Sequence, residues 1–176
     1  MLYNERMENE NITLIGMPGA GKSTLGVVLA KKLGYRFIDT DLLIQDYTDK
    51  LLSELLTERG VEGFIELENQ IVSGLECERH VIATGGSVVY GEEAMLHLKG
   101  MGKVVFIDIG TDELKRRISP DLVERGVVMR HGNTLEDLLA ERKPLYQKYA
   151  DITVSTAGMH TLEAVETLYA ALKEQA

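Results

Sequence analysis

A chain of 176 residues has room for one domain with a sizeable buried core. Its composition, 44% hydrophobic and 27% charged, is that of an ordinary globular protein, and a formal net charge of -9 argues against sequence-independent binding of nucleic acid, which needs an excess of Lys and Arg. The single cysteine, Cys77, excludes an intramolecular disulfide and fits a reducing compartment.

Residues 1–10 form a polar tail without the apolar centre of a signal peptide, and no apolar run approaches the roughly 20 residues of a membrane span. A cytoplasmic protein with no membrane partner is expected. Ile12–Ile15 is a short apolar run ending at Gly16 and predicts a buried strand. Apolar residues then recur at helical spacing over Ser23–Leu33, and Gly34 follows where a glycine stops a helix. Tyr35–Asp39 predicts a second strand. Asp41–Arg79 is helical with interruptions: a start at Ser53-Glu54, breaks at Gly60 and Gly63, and a face of Phe64, Leu67, Ile71 and Leu75. His80–Thr84 predicts a third strand ending at Gly85-Gly86, followed by a short helix over Glu92–Leu98. Lys103–Asp108 predicts a fourth strand and Thr111–Ile118 a helix with Thr111 as its N-cap. Ser119–Asn133 has no clean period and predicts a mobile loop. Thr134–Tyr149 is helical with a break or kink at Pro144, Asp151–Ser155 is a fifth strand, and Thr161–Lys173 a last helix. Strands alternating with helices define an α/β class with a parallel sheet covered on both faces, in one domain spanning 1–176.

The segment Gly16-Met17-Pro18-Gly19-Ala20-Gly21-Lys22-Ser23-Thr24 has the spacing of a phosphate-binding loop between a strand and a helix. Its glycines let successive backbone N–H groups curl around an oxyanion, and the helix that follows aims its N-terminal dipole at the phosphates. Lys22 can bridge β- and γ-phosphates, and Ser23 can place its hydroxyl on Mg²⁺. Gly19, Ala20, Gly21, Lys22, Ser23 and Thr24 are therefore candidate nucleotide-binding residues, with ATP as co-substrate. No Asn-Lys-x-Asp segment occurs, which argues against guanine recognition.

Asp39-Thr40-Asp41 falls where the second strand ends, and ligands of open parallel sheets gather at such ends. In extended backbone the two acids point to one side. One can hold Mg²⁺ through water while the other orients a substrate hydroxyl and takes its proton. Alternatively, Asp41 simply caps the next helix.

With these segments, Ala83-Thr84-Gly85-Gly86 and Glu141-Arg142-Lys143-Pro144-Leu145-Tyr146 in view, the chain resembles the shikimate kinase family from about Asn11 to Lys173. The resemblance implies a nucleoside-monophosphate-kinase-like P-loop fold: a five-stranded parallel sheet of order 2-3-1-4-5, helices on both faces, a substrate-binding helical segment over about 41–79 and a lid over 119–133. It implies Lys22, Asp41 and Arg125 as catalytic residues, with Asp41 the base. Ser23 and Asp39 would hold Mg²⁺, Arg117 would stack near adenine, and Asp41, Gly85, Gly86 and Arg142 would bind the acceptor. Taken singly, Arg117 and Arg142 read equally well as surface charges, and Gly85-Gly86 as a plain turn; their shared order carries the assignment.

Three departures fall on the acceptor side. Where the family has Phe-Arg-x-x-Glu, this chain has Phe64-Ile65-Glu66-Leu67-Glu68. Ser87 stands for a third glycine, and the lid reads Arg125-Gly126-Val127-Val128-Met129-Arg130 where the family has Arg-Pro-Leu. Arg130 either turns inward or stays solvated. The leading expectation is phosphorylation of shikimate by a monomeric enzyme. A kinase for homoserine, gluconate or a nucleoside, and a nucleotide-binding module without turnover, are the alternatives. Cys77, Met95, Met101, Met129, His97 and His131 are expected to have no chemical role.

Overall fold

The computed structural model describes residues 10–117, 127–129 and 133–175. Five parallel strands, β1 (Asn11–Ile15), β2 (Arg36–Asp39), β3 (His80–Ala83), β4 (Gly102–Asp108) and β5 (Ile152–Ser155), lie in the order β2-β3-β1-β4-β5. The helices are α1 (Lys22–Leu33), α2 (Thr40–Thr48), α3 (Leu52–Ser73), α4 (Glu92–Met101), α5 (Thr111–Arg117), α6 (Leu135–Tyr149) and α7 (Thr161–Glu174). All five residues of β1 are buried, as a central strand covered on both faces requires. Leu14 pairs in register with Ala83 on one side and Val105 on the other. The strand order reverses at β1, so its carboxyl end is the crevice where such sheets hold ligands. That end is Gly16.

Two apolar clusters support this crevice. The larger fills both faces of the sheet, with Leu29, Ile82, Phe106 and Leu168 at its centre. The smaller joins Ile44, Leu52, Leu55, Phe64 and Leu67 of α2 and α3 to Val128. Val128, from the segment expected to form a lid, is thus buried against α2 and α3. The expectations for Arg125 and Arg130, and for most of Ser119–Asn133, lie outside the described residues.

Several local expectations are corrected. The chain turns into α2 at Thr40 with no extended stretch between, so the two acids do not share a strand face. Nor is Asp41 the cap: the Asp39 carboxylate accepts the Asp41 N–H at 3.0 Å and caps α2 itself. Gly60 does interrupt α3, at φ 68, but Gly63 stays helical. Burial of Phe64 and Leu67 beside Gly63 outweighs the roughly 1 kcal/mol a helical glycine costs. Pro144 lies inside α6 without ending it, because Arg142 and Tyr146 are buried on either side of it. Thr111 opens α5 as its first residue, after Gly110 at φ 72. A 3₁₀ turn, Val88–Tyr90, follows the glycine pair where no element was expected.

Cys77 is half-buried, and burial raises its thiol pKa. Met95 is fully buried, and Met101 and Met129 pack against the larger core. Among the described residues no helix is long and apolar enough to cross a membrane.

Candidate active site

Gly16 leaves β1 at φ 146 with its Cα against β4; an ideal Cβ there would meet the Ile107 carbonyl oxygen at 2.7 Å. Only glycine lets the loop start this close to the sheet. Gly21, at φ 90, then turns the chain into α1, whose N-terminus has no side-chain cap. The unpaired N–H groups of its first turn remain available to an anion. Lys22 folds back over the loop and donates to the Gly16 and Met17 carbonyls at 2.7 and 2.9 Å. Burial lowers its pKa to about 8, with the charges of Asp41 and Asp39 acting the other way.

The Ser23 hydroxyl donates to Asp39 Oδ2 at 2.6 Å. One hydroxyl and one carboxylate are hard oxygen donors, and Mg²⁺ takes one or two such protein ligands alongside phosphates and water. The pair fits that ion. No group of three or more His, Cys, Asp or Glu gathers elsewhere among the described residues, as a metal held wholly by the protein would need.

A cavity of about 310 Å³ opens between the loop and α2–α3, lined among others by Lys22, Asp41, Gly85, Gly86, Ser87 and Arg142. Thr40 sets one wall: its Oγ1 accepts the Gly85 N–H at 3.2 Å and joins the start of α2 to the glycine pair. Burial, and then the charge of Asp39, raise the Asp41 carboxyl to about 6, with Lys22 opposing. Gly86 has no room for a side chain, since an ideal Cβ would lie 2.8 Å from Pro18 and 2.9 Å from Arg142 Nη1.

Arg142 is 1% exposed. Its Nη2 donates to the Val128 carbonyl and its Nε to the Tyr90 hydroxyl, while Nη1 has no partner. Its guanidinium also lies over the Tyr90 ring, 5.2 Å from the centroid. Tyr146, one turn along α6, donates to the Gly86 carbonyl at 2.6 Å. The structure therefore brings Lys22, Asp41, Gly85, Gly86 and Arg142 to one cavity, and Ser23 and Asp39 to its rim.

Arg117 belongs to a second cavity of about 290 Å³, which shares Gly21 and Thr24 with the first and is completed by Thr156, Met159 and His160. Its Nε donates to Glu113 Oε1 at 2.8 Å. Sequence reasoning did not single out Thr40, Tyr90, Tyr146, Thr156 or His160, whose positions depend on contacts between distant segments.

Glu68 was also missed as a site residue, although an acid four residues after Phe64 on the apolar face of a helix is a detectable signal. It is 1% exposed, and Ser87 donates to its Oε2 at 2.6 Å. Burial raises its pKa from 4.5 to about 7, against the hydrogen bond from Ser87. Through that window the folded protein keeps a proton the unfolded chain has lost, so stability falls as pH rises, by up to about 3 kcal/mol. Glu68→Gln is expected to match the wild type in thermal melts near pH 4.5 and to exceed it at pH 8, by about 2–4 °C per kcal/mol. A constant difference across that range would contradict the assignment.

Fold and crevice together define a P-loop nucleotide-binding protein with two adjoining cavities, sharing Gly21 and Thr24, at the carboxyl end of its central strand. A family model for shikimate kinase matches residues 18–173. A shikimate kinase of Synechococcus sp. (strain RCC307) is 38% identical over 157 residues, covering 88% of this chain and 80% of the relative. Among solved structures, a shikimate kinase from Acinetobacter baumannii in complex with shikimate superposes with a TM-score of 0.81 at 25% identity, covering 96% of each chain. The shikimate kinase of Aquifex aeolicus gives a TM-score of 0.78 at 31% identity, covering 94% of this chain and 97% of that one. The chain belongs to the shikimate kinase family, whose members are phosphotransferases acting on an alcohol group.

Proposed function

We propose that this chain transfers the γ-phosphoryl group of ATP to a hydroxyl of shikimate, as one cytoplasmic, monomeric kinase domain whose acceptor segment is about 41–79. The observation that carries this reading is the buried, unpartnered Nη1 of Arg142 in the same cavity as Asp41 and Lys22. A buried guanidinium nitrogen left unpaired is costly, and a carboxylate bound there relieves that cost. An acid held at Arg142 can place a hydroxyl near Asp41.

In this reading the loop amides from Gly19 to Thr24 cradle the phosphates, and the cavity beside Arg117 takes the adenosine. Ser23 and Asp39 would hold Mg²⁺, which would neutralise charge on the phosphates. Lys22 leaves the Gly16 and Met17 carbonyls to meet the transferring group. Asp41 orients the acceptor hydroxyl and takes its proton late in an in-line displacement. Gly85 and Gly86 let the acceptor approach the backbone.

The test is a coupled assay with ATP–Mg²⁺ against shikimate, homoserine, gluconate and nucleosides. Saturable turnover with shikimate is expected. Turnover with another acceptor alone would overturn the assignment, and nucleotide binding with no turnover would support a regulatory module. Ile65 sharpens the test, because it is half-buried against the smaller core where the family has a cation. Ile65→Arg is expected to lower the KM for shikimate about tenfold, the effect of one charge-assisted hydrogen bond. An unchanged or higher KM would argue for a pocket shaped to a different acid.

A further inference from the structure

Ser87 and Glu68 form a unit that the reaction as described does not use. Ser87 is 3% exposed and lines the acceptor cavity beside Gly86 and Arg142. Its hydroxyl is spent on Glu68, whose carboxylate accepts it at 2.6 Å. A serine hydroxyl has one hydrogen and two lone pairs. At pH 8, where Glu68 is ionised and the hydrogen is committed to its carboxylate, the oxygen can offer a ligand only acceptor capacity, and the negative partner strengthens it.

The glycine pair builds this arrangement. An ideal Cβ at Gly85 would lie 2.6 Å from Glu68 Oε1 and 2.7 Å from Asp41 Oδ1, so the bare Cα lets both carboxylates close on the same stretch of backbone. Glu68 Oε1 has no hydrogen-bond partner, and Glu68 makes no ion pair among the described residues. Among the described residues its hydrogen-bond partner is Ser87. Ser87 stands where a glycine is expected from the resemblance, so this oxygen is an addition to the pocket.

We propose that Ser87 is a specificity-determining residue of the acceptor cavity: its Oγ accepts a hydrogen bond from a hydroxyl of the acceptor next to the one Asp41 orients. Glu68 is a positioning residue that fixes the direction of the Ser87 hydrogen. Together they select an acceptor bearing two neighbouring hydroxyls over one that presents a single hydroxyl. This inference rests on the acceptor reading above.

The experiment compares wild type, Ser87→Ala and Ser87→Gly at pH 8, with shikimate and with analogues each lacking one hydroxyl. With shikimate, both variants are expected to raise the acceptor KM about tenfold, with the loss appearing in kcat/KM and not in the KM for ATP. With the analogue lacking the contacted hydroxyl, wild type and variants should be alike. Glu68→Leu, which removes the acceptor of the Ser87 hydroxyl, should raise the acceptor KM in the wild type and have no further effect in the Ser87→Ala background. An unchanged KM in both serine variants, or the same loss with every analogue, would overturn the role of Ser87. Additive effects of the Glu68 and Ser87 changes would overturn the positioning role. Absence of shikimate turnover by the wild type would remove the acceptor reading and this inference with it, an outcome distinct from active wild type with indifferent variants.

Discussion

Lys22→Ala is expected to lower kcat by about 10²–10³-fold or more, the range seen when one charge-stabilising donor is removed from a reacting centre. Lys22 is buried over the phosphate loop and contacts only the Gly16 and Met17 carbonyls there. Those carbonyls open the loop whose later amides, Gly19 to Thr24, would cradle the phosphates, so the ammonium is parked beside the loop it would serve. The fold should survive. Burial already lowers the Lys22 pKa, so the charged side chain is held at a cost that alanine removes. A variant with wild-type turnover, or one that fails to melt cooperatively, would contradict this role. Loss of turnover with an intact melting transition is the expected pair of results.

The second large effect is at Asp41. Asp41→Asn should reduce kcat by about 10²-fold or more, within the range of general acid–base contributions, and leave ATP affinity nearly unchanged. The basis is geometric. Asp41 sits in the first turn of α2, faces Gly85 and the acceptor cavity, and is not the residue that bonds Ser23. Asp39 makes that bond and caps the helix. The two carboxylates, two residues apart, therefore divide: Asp39 turns to Ser23 of the phosphate loop and Asp41 to the cavity beside Gly85. Equal losses of ATP affinity and turnover in Asp41→Asn would erase that division and move Asp41 to a metal or structural role. Asp39→Asn is the complementary variant, and its loss should appear in the Mg²⁺ dependence.

The phosphate loop was legible because its chemistry is local: spacing, a strand before and an amphipathic helix after. The strands were legible for the same reason, being short, apolar and bounded by glycines or turns. What could not be read was set by contacts across the chain. Whether Asp39 or Asp41 capped α2 depended on the helix starting at Thr40, and nothing in that segment marks the start. Pro144 read as a break or kink, yet α6 continues through it with Arg142 and Tyr146 buried on either side. The support of Arg142 comes from Tyr90 and Val128, 52 and 14 residues away. The Ser87–Glu68 bond joins a departure from the family pattern, Ser87, to a residue that matches it, Glu68. Such pairs become visible only when the fold brings α3 against the turn after β3.

The departures gain a physical meaning from this placement. Ile65, like Leu56, Val61 and Ile71, packs half-buried at the edge of the smaller core, where an apolar side chain packs well. The charge balance of the pocket then depends on Arg142 and Lys22 facing Asp41 and Glu68, whose pKa values are both raised by burial. An acidic ligand entering this cavity meets two buried cations and two reluctant anions. Arg142 is the one whose spare nitrogen suits a carboxylate.

The central claim is that the γ-phosphoryl group passes to an alcohol of the acceptor and not to water. Phosphorus NMR of the purified protein with ATP, Mg²⁺ and shikimate tests it in one spectrum. The expected spectrum shows loss of the γ-phosphate signal with growth of a phosphomonoester signal that requires shikimate and is absent in Lys22→Ala. Appearance of inorganic phosphate alone, at a rate indifferent to shikimate, would contradict it.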